Sequence, residues 1–446
     1  MMSLVESATN FAIIVVGAGL TGIIGARRLL QAHPETRLAI LERDYCVGGV
    51  WSERRTYPSF WTQWTHGIAE FSDMPMERPP KEDYTHDLFH AKYTTKHLED
   101  YVCSMTHAGK TLRDRIQFNI QSSVPNVPDL PGKEHFQGKV IHSIDFGQSD
   151  IVQDKSVQHV AVIGAGKSAA DMVYESVKVG KTASWIIFRT VNGSLGAAAF
   201  APIDLPTPYK NRVEASQVRI MASLQSSYLI LCRSLWTWML RSTSLGARLM
   251  GKTFSLPDSS GFENLEYDND IIWQTGTAGG CHFADFWPLV ADKIYVHRSD
   301  VTRISLAMSS CAGPAGKTDL TQIHPKHYHK YETRTPYRPY HTMAPIHVDS
   351  ILFMNHAQAI WAVACWDKAF ALPSVAERED DIAHMIAWNK RRCLSNGELG
   401  DFAPFDSVPY ADRLFDELGV ISHRKKGLLG NIFAPIKSAD LPTYLR

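Results

Sequence analysis

The pattern of apolar and polar positions near the start of the chain predicts a strand, a turn, a helix and a second strand. The β-branched run over 13–16 is typical of a strand that is buried on both faces of a parallel sheet. A helix-like stretch over 23–32 follows the turn and ends before Pro34, and residues 37–41 form the next apolar run. This order predicts a βαβ unit, which is the building block of α/β folds.

The same order recurs in the middle of the chain. An apolar run over 159–163 leads to a helix predicted over 168–179, and Gly180 is the residue type that commonly follows a helix end. Residues 184–188 form the next strand-like run. The chain is therefore predicted to contain two βαβ units, and its length of 446 residues suggests two or three domains.

Each unit carries a glycine fingerprint between its first strand and its helix. Such a turn lets the backbone approach a pyrophosphate, which then lies at the positive N-terminus of the helix. The last position requires only close packing of helix against strand, so alanine can replace glycine there. The fingerprint positions are Gly17, Gly19 and Gly22 in the first unit and Gly164, Gly166 and Ala169 in the second.

The residue twenty positions past each fingerprint differs in charge between the units. In a βαβ dinucleotide unit this position meets the adenosine ribose. Glu42 can accept hydrogen bonds from a free 2′-hydroxyl, which predicts FAD or NAD in the first unit. Arg189 can bind a 2′-phosphate, which predicts NADPH in the second, and the alternative for Arg189 is a surface arginine at a strand end. Two such sites imply that electrons pass from nicotinamide to flavin.

Composition excludes several classes of function. The formal net charge is zero, so nothing indicates a nucleic-acid partner. The seven cysteines occur singly, without a CxxC pair, which predicts reduced thiols in the cytoplasm and no disulfide-reductase chemistry. No motif has the spacing of a metal site, and the basic, aromatic stretch over 326–331 is interpreted as a polar loop.

The most apolar stretch of the chain, over 228–240, is broken by Arg233 and is too short to span a bilayer. Its Trp236 and Trp238 either pack inside a domain, which is the favoured interpretation, or contact a membrane surface or line a substrate channel. The predicted location is cytoplasmic, and association with a membrane surface is left open. The short basic cluster over 423–426 is predicted to be a solvated face.

Further ordered motifs extend the pattern beyond the two fingerprints. The pair Gly48-Gly49 stands before Trp51, and the runs Phe-Trp-Thr-Gln-Trp-Thr over 60–65 and Phe-Ser-Asp-Met-Pro over 71–75 follow. Residues 136–146 fit the pattern FxGxxxHxxx(F/Y). With these motifs the chain resembles, over most of residues 11–300, the class B flavin-containing monooxygenases. It is most similar to their dimethylaniline monooxygenase-like branch in fungal secondary metabolism.

The resemblance implies two Rossmann-like dinucleotide-binding domains, one for FAD and one for NADPH. It also implies that NADPH reduces FAD and that O2 then forms a C4a-hydroperoxyflavin, from which one oxygen atom enters a small lipophilic metabolite. The implied partners are this substrate and O2. By resemblance, FAD is bound by Gly17, Gly19, Gly22, Glu42, Gly49 and Trp51, NADPH is bound by Gly164, Gly166, Lys167, Ser168 and Arg189, and the candidate catalytic residues are Gln63 and His142.

The chain departs from this family in the sheet of the first domain. Where the family continues with further strands, residues 121–132 hold three prolines and no alternating run. A later family strand is replaced by 309–316, whose small and polar residues predict a loop. We therefore expect a truncated FAD domain. In addition, Gln63 stands where the family has asparagine, and its amide can make the same hydrogen bonds from one methylene further out.

The resulting prediction divides the chain into three parts. These are an FAD-binding domain over 1–146, an NADPH-binding domain over 147–304 with an insertion at about 195–290, and a C-terminal return to the FAD domain over 305–446. Two alternatives to heteroatom oxygenation stay open. One is a Baeyer–Villiger oxygenase acting on a ketone, although Phe146 stands where that signature ends in tryptophan. The other is an inactive nucleotide-binding relative that has lost FAD.

Overall fold

The structure of the protein is a computed structural model. It describes residues 11–120, 130–164, 166–187, 197–202, 208–224, 229, 235–246, 248–249, 275–298, 301–304, 309–311, 339–341, 343–345, 358–392, 407–422 and 425–441. Parts of the sequence predictions lie outside these residues, among them Arg189, the polar loop over 326–331 and residues 121–129 of the stretch with three prolines.

Helices and strands alternate through both predicted βαβ units. The α-helices of the described residues are α1 (Leu20–Ala32), α2 (Lys92–Cys103), α3 (Lys167–Lys178), α4 (Arg212–Ser216), α5 (Arg219–Ser223), α6 (Leu235–Ser242), α7 (Phe286–Lys293), α8 (Gln358–Trp366), α9 (Val375–Arg392), α10 (Ser407–Glu417) and α11 (Gly427–Phe433). The strands used below are β1 (Ile13–Val16), β2 (Leu38–Leu41), β3 (Ile116–Gln117), β4 (His159–Ile163), β5 (Thr182–Ile187), β6 (Ala197–Pro202), β7 (Thr275–His282), β8 (Ile294–Arg298), β9 (Val301–Ile304) and β10 (Ser309–Cys311). Short two-residue ladders join 84–85 to 88–89, 106–107 to 110–111 and 339–340 to 344–345.

The first βαβ unit forms a parallel sheet in the order β1–β2–β3. Helix α1 begins directly after Gly19, three residues earlier than the apolar pattern indicated. Its Ile23, Ile24 and Leu30 are buried in a core shared with β2 and α2. The predicted order of strand, turn, helix and strand is therefore confirmed in this unit.

One face of β1 differs from the sequence prediction. The side chains of Ile14 and Val16 are 47% and 64% exposed, so the expectation that β1 is buried on both faces is wrong. Among the described residues, no strand pairs with the edge of β1 opposite β2. The truncation predicted for this sheet rests largely on residues 121–129 and 312–316, which lie outside the described part of the chain, and it stays a prediction.

The second βαβ unit repeats the arrangement with the strand order β4–β5–β8, again all parallel. Helices α3 and α7 pack on this sheet through a core that includes Val173, Phe286 and Trp287. The indole of Trp185 is fully buried, and its N–H donates to the carbonyl oxygen of Gly164 at 2.8 Å. This bond ties the middle strand to the start of the fingerprint turn.

The C-terminal helices return to the first domain. Ala359 of α8 is fully buried in the same core as Ile24, and His33 at the end of α1 lies 2.7 Å from the carboxylate of Asp367. Helices α9 and α10 pack on the other side of α8, where the indole N–H of Trp361 donates to Glu417 at 3.0 Å. Part of the first domain is therefore built from sequence that lies more than three hundred residues later.

One predicted loop is partly a strand. Residues 309–316 were expected to be loop because their side chains are small and polar, but Ser309–Cys311 forms β10. This strand pairs antiparallel with β9. The reason is that ladder hydrogen bonds are made by the backbone, which small polar residues also supply. The rest of the stretch, 312–316, lies outside the described residues.

Candidate dinucleotide-binding sites

The first fingerprint adopts the conformation that only glycine tolerates easily. Gly17 has a φ of +98°, and a methyl group placed on it would meet nothing within 4 Å, so open space lies beside this turn. At Gly22 the situation is reversed, because a Cβ atom there would lie 2.0 Å from the carbonyl oxygen of Gly17. Gly22 is thus needed for the packing of α1 against the turn, whereas Gly17 borders space that a ligand can fill.

The second glycine pair of the first domain lies directly on this turn. The amide of Gly48 donates to the carbonyl of Ala18 at 2.9 Å, and a Cβ atom on Gly49 would lie 3.1 Å from the Cα of Gly19. Trp51 follows and stacks on Phe60 with ring centroids 5.2 Å apart. The sequence motif over 48–51 is therefore brought to the fingerprint, as expected for backbone that lines a pyrophosphate.

Glu42 is also at the fingerprint. Its carboxylate is buried and accepts hydrogen bonds from the backbone amides of Ala18 at 2.6 Å and Asp44 at 2.9 Å. A carboxylate offers about four lone-pair positions. These two bonds therefore hold Glu42 beside the turn and leave further acceptor capacity for ribose hydroxyls.

The second fingerprint shares a glycine with positive φ and adjacent open space with the first. Gly164 has a φ of +135°, and a methyl group on Gly166 would meet nothing within 4 Å, so this turn also borders open space. The ammonium of Lys167 forms an ion pair with the carboxylate of Asp171, one helical turn further along α3. The cofactor contacts proposed for Lys167 and Ser168 stay predictions, and Arg189 lies outside the described residues.

A cavity of about 170 Å³ lies between the two units. It is smaller than most ligand pockets, which measure roughly 300–1,000 Å³. Its lining combines residues of both units and of the junction between them, namely Arg43, Val50, Arg55, Tyr57, Phe60, His142, Ser143, Ile144, Ser168 and Met172. Ser168 of the second fingerprint and His142 of the FxGxxxHxxx(F/Y) motif therefore share one cavity.

His142 caps the short 3-10 helix over 143–148. Its Nδ1 accepts a hydrogen bond from the amide of Ile144 at 3.2 Å. Two side chains of this 3-10 helix are held by residues of the first domain. The carboxylate of Asp145 accepts a hydrogen bond from the guanidinium of Arg54 at 3.0 Å, and the buried ring of Phe146 packs edge-on against Tyr57. The motif therefore lies where the two units meet. The catalytic role suggested for His142 stays a prediction.

Two buried carboxylates of α3 accept hydrogen bonds from the segment that follows Gly48-Gly49 in the first domain. The hydroxyl of Tyr57 donates to Asp171 at 2.6 Å, and the backbone amide of Ser59 donates to Glu175. Asp171 is fully buried, and Glu175 is buried as well. These bonds join the first domain to the second fingerprint helix, so they fix how the two candidate sites face each other.

Asp171 has further partners within the second domain. His282 donates from Nε2 to Asp171 at 3.1 Å, because its Nδ1 already accepts from the amide of Phe283 at 2.9 Å. Burial lowers the pKa of His282, so the ring is neutral at pH 7. Burial raises the pKa of Asp171, but Lys167 and His282 outweigh this effect and the net pKa lies below its usual value. Asp171 is therefore an ionised carboxylate surrounded by donors.

Asp171 and Glu175 are absent from the residues predicted from the sequence. Their partners Tyr57 and Ser59 are more than one hundred positions away, so no local pattern links them. One signal was present, since the two acidic residues are four positions apart in α3 and share a face with apolar residues. Carboxylates on the buried face of a helix need partners, and this requirement points to an interface.

The motif over 71–75 is structural in the described residues. Phe71 is buried and stacks on Tyr101, and Asp73 accepts from the guanidinium of Arg28 at 3.2 Å and from the hydroxyl of Tyr101 at 3.0 Å. Arg28 is buried, and the side chain of Asp73 is 9% exposed. The motif therefore attaches this loop to α1 and α2. Gln63 lies half-buried eight residues before Phe71, and its contact with a flavin stays a prediction.

His97 in the same core makes stability depend on pH. It stacks on Phe71, its Nε2 has no hydrogen-bond partner in the described part of the chain, and burial lowers its pKa to about 4 from the usual 6.5. The unfolded chain therefore takes up this proton first, and stability is lost as pH falls from 6.5 towards 4. Between pH 7.5 and 5 we expect this histidine to cost about 2 kcal/mol.

Urea unfolding of the wild type and of His97→Phe at both pH values tests this expectation. The variant keeps an aromatic ring on Phe71 and removes the titration. Its unfolding free energy is expected to fall less between pH 7.5 and 5 than that of the wild type. Equal pH dependence of the two proteins would contradict the assignment.

Two dinucleotide-type units, joined through buried polar contacts, are the arrangement expected of a protein that binds two dinucleotides. A family model described as flavin-binding monooxygenase-like matches residues 116–257. The FAD-dependent monooxygenase rstn6 of Aspergillus nomiae is 24% identical over 555 aligned positions, which cover 94% of this chain and 95% of that protein. A Baeyer–Villiger monooxygenase of Streptomyces coelicolor is 27% identical over 232 positions, 45% of this chain and 43% of that protein.

Solved structures share the fold. The closed crystal structure of cyclohexanone monooxygenase matches with a TM-score of 0.55 at 11% identity, covering 91% of this chain and 97% of that one. Over residues 116–257 the chain is similar to the flavin-binding monooxygenase-like proteins, and over most of its length it is similar to fungal FAD-dependent monooxygenases, which are oxidoreductases. This confirms the resemblance drawn from the motifs.

The alignment with rstn6 contains gaps in this chain. It has 555 positions and this chain has 446 residues, a difference of 109, so at least that many positions lack a residue of this chain. In the described parts of the chain, no helix combines the length and the hydropathy needed to cross a bilayer.

Proposed function

We propose that the protein is an FAD- and NADPH-dependent monooxygenase that transfers one oxygen atom from O2 to a small lipophilic metabolite. One observation carries the proposal. Two glycine turns, each bordered by open space, begin helices whose units meet across a buried interface of hydrogen-bonded carboxylates. Such an interface holds one dinucleotide in a fixed position relative to the other, as hydride transfer between them requires.

The residues of the first unit fit FAD. The free amides at the start of α1 and the turns at Gly17 and Gly49 would line the pyrophosphate, and the remaining acceptor positions of Glu42 would hold the ribose. In the second unit, Gly164, Gly166 and the start of α3 would line the pyrophosphate of NADPH. Arg189 would bind its 2′-phosphate.

Bound FAD would supply two-electron redox chemistry between NADPH and O2. The balanced reaction converts substrate, O2, NADPH and one proton into oxygenated substrate, NADP⁺ and water. The chain's own residues orient the two dinucleotides. Asp171 holds Tyr57 and α3 together, His142 fixes the junction that borders the cavity, and Gln63 would offer its amide to the flavin.

A Baeyer–Villiger oxygenase acting on a ketone is the second candidate, and the partial match to the Streptomyces coelicolor enzyme favours keeping it. Product analysis with an amine or a sulfide, against a cyclic ketone, distinguishes the two reactions. We further propose a cytoplasmic location, and contact of the stretch 228–240 with a membrane surface stays open, as in the sequence analysis. The described residues of that stretch are 229 and 235–240.

The first test is the visible absorption spectrum of the purified protein. We expect one flavin per chain, and we expect its absorption to bleach when NADPH is added without oxygen. A colourless protein that cannot be reconstituted with FAD would contradict the monooxygenase proposal and would favour the inactive relative.

Two matched variants assign the sites. A methyl group on Gly19 would make an ordinary contact of 3.6 Å with Gly49, and one on Gly166 would meet nothing within 4 Å, so both proteins should fold. We expect Gly19→Ala to lower FAD affinity at least about tenfold, and Gly166→Ala to keep FAD but weaken NADPH binding to a similar degree, about 1.4 kcal/mol. Loss of the same ligand in both variants would contradict the assignment.

A further inference from the structure

Two arginines of the first domain line the cavity between the two units. The cavity of about 170 Å³ is bordered by Arg43 and Arg55 of the first domain and by Ser168 of the second. Among the described residues that line it, none is acidic. A single water molecule needs roughly 10–15 Å³ of such space, so part of a larger ligand fits here, whereas a whole dinucleotide does not. Two guanidiniums without an acidic neighbour in the lining favour an anionic group.

Arg55 has hydrogen-bond donors beyond those of its ion pair. Its Nη2 donates to the carboxylate of Asp44 at 3.1 Å, and its side chain is 18% exposed. Its Nε is buried and has no hydrogen-bond partner in the described part of the chain. A guanidinium has five N–H donors, so the bond to Asp44 uses only some of them. Asp44 also pairs with Arg54 at 2.8 Å, so this buried carboxylate compensates the charge of Arg55 only in part.

The start of α3 adds positive potential from the second domain. Ser168 is the second residue of this helix, which has 12 residues and begins at Lys167. The N-cap residue is Gly166, so no side chain caps the free amides of the first turn. These amides and the helix dipole favour a phosphate. Arg55 and the start of α3 therefore border one cavity from different domains with potential of the same sign.

Arg55 is held in place without a ligand. A Cβ atom on Gly147 would lie 2.9 Å from the carbonyl carbon of Arg55, so the junction between the domains packs directly on its backbone. Two residues further along the chain, the hydroxyl of Tyr57 donates to Asp171 of α3 at 2.6 Å. The backbone of Arg55 is thus fixed between the junction and α3, and a preorganised group loses little conformational entropy when it binds a ligand.

We propose that Arg55, with Arg43 as a second positive charge, binds the pyrophosphate of the NADPH held at the start of α3. Residues of both domains would then bind one cofactor. This inference rests on the proposed function, because it assumes NADPH at the second fingerprint. The pyrophosphate is the group concerned, because the cavity reaches Ser168 at the fingerprint, where the pyrophosphate of a dinucleotide lies.

The test is titration calorimetry of NADP⁺ and of NAD⁺ with the full chain reconstituted with FAD. We expect Arg55→Met to raise both dissociation constants by the same factor, at least about tenfold, because both ligands contain the pyrophosphate. Arg43→Met should raise both by a smaller factor. The matched control is Arg54→Met. Arg54 also binds Asp44 but does not line the cavity, so this variant should bind both nucleotides as the wild type does.

Asp44 keeps one guanidinium in each of the variants Arg54→Met and Arg55→Met, so both should fold, and thermal unfolding checks this. Equal affinities of the wild type and of Arg55→Met would overturn this inference alone. A loss that affects NADP⁺ but not NAD⁺ would place Arg55 at the 2′-phosphate, and a loss of FAD at unchanged NADP⁺ affinity would place it at the first fingerprint. Either result would also overturn the inference. A wild type that binds neither nucleotide would contradict the proposed function itself.

Discussion

Replacing Asp171 with alanine is expected to lower the unfolding free energy by about 3–5 kcal/mol, the cost of removing one partner from a buried ion pair. Lys167 would lose its anion, and Tyr57 and His282 would each lose a hydrogen-bond acceptor inside the protein. Urea unfolding at pH 7 measures the loss. Because the pKa of Asp171 lies below its usual value of 3.8, its contribution is complete above pH 4 and disappears only as pH falls through the lower value.

The matched control is Asp285→Ala. Asp285 also accepts hydrogen bonds from residues of α3, namely from Tyr174 at 3.0 Å and from Lys178 at 3.0 Å, but its carboxylate and the ammonium of Lys178 are about half exposed. We expect this variant to lose no more than about 1 kcal/mol. Similar losses of unfolding free energy in the two variants would mean that the buried position of Asp171 at the interface adds nothing to its contribution to stability.

Asp171→Asn separates stability from positioning. The amide keeps an oxygen for Tyr57 but loses the charge that faces Lys167. If the interface sets the geometry between the two dinucleotides, this variant should bind FAD and NADPH normally yet reduce its flavin more slowly, with Tyr57→Phe behaving in the same way. Unchanged reduction rates in both variants would limit the network to a structural role.

The second large effect is expected at Gly22. Alanine there would place its methyl group 2.0 Å from the carbonyl oxygen of Gly17, and both are held by backbone, so neither can move without shifting α1. We expect Gly22→Ala to lower the unfolding free energy by at least about 3 kcal/mol, at the upper end of overpacking effects, even without any ligand. Thermal and urea unfolding of protein stripped of flavin give this value directly.

The second fingerprint supplies the comparison. Ala169 occupies the position equivalent to Gly22, and a Cβ atom on Gly164 would lie an ordinary 3.7 Å from the methyl group of Ala169. Ala169→Gly should therefore cost about 2 kcal/mol, from the lower helix propensity of glycine and the loss of one buried methyl group, with no steric conflict in the wild type. If Gly22→Ala has the same unfolding free energy as the wild type, the close contact between Gly22 and the carbonyl oxygen of Gly17 is contradicted.

Local patterns were sufficient to predict both fingerprints and the strands and helices around them. Gly17, Gly22 and Glu42 occur within one βαβ unit, where short-range sterics and hydrogen bonding determine the conformation. The helix predicted over 168–179 lies within one residue of α3 at each end. The return of α8 to the first domain was expected only from the resemblance, because no apolar period shows that Ala359 packs on α1.

Two parts of the structure could not be predicted in this way. The Tyr57 to Asp171 contact joins segments that meet only when both domains have folded, and a tyrosine in a loop gives no sign of its partner. The exposure of Ile14 and Val16 also could not be predicted, although both residues lie within one local pattern. A β-branched run indicates a strand, but what covers the strand depends on residues elsewhere in the chain.

The buried position of Ala359 has a consequence for the order in which the protein folds during synthesis. Strands β4, β5 and β8 and helices α3 and α7 all lie within 159–298, so the second unit can form as soon as that stretch leaves the ribosome. The first unit emerges earlier but completes its core only when α8 arrives, after the whole second unit. Its contacts with α8 span more than three hundred positions, so we expect the first unit to mature after the second.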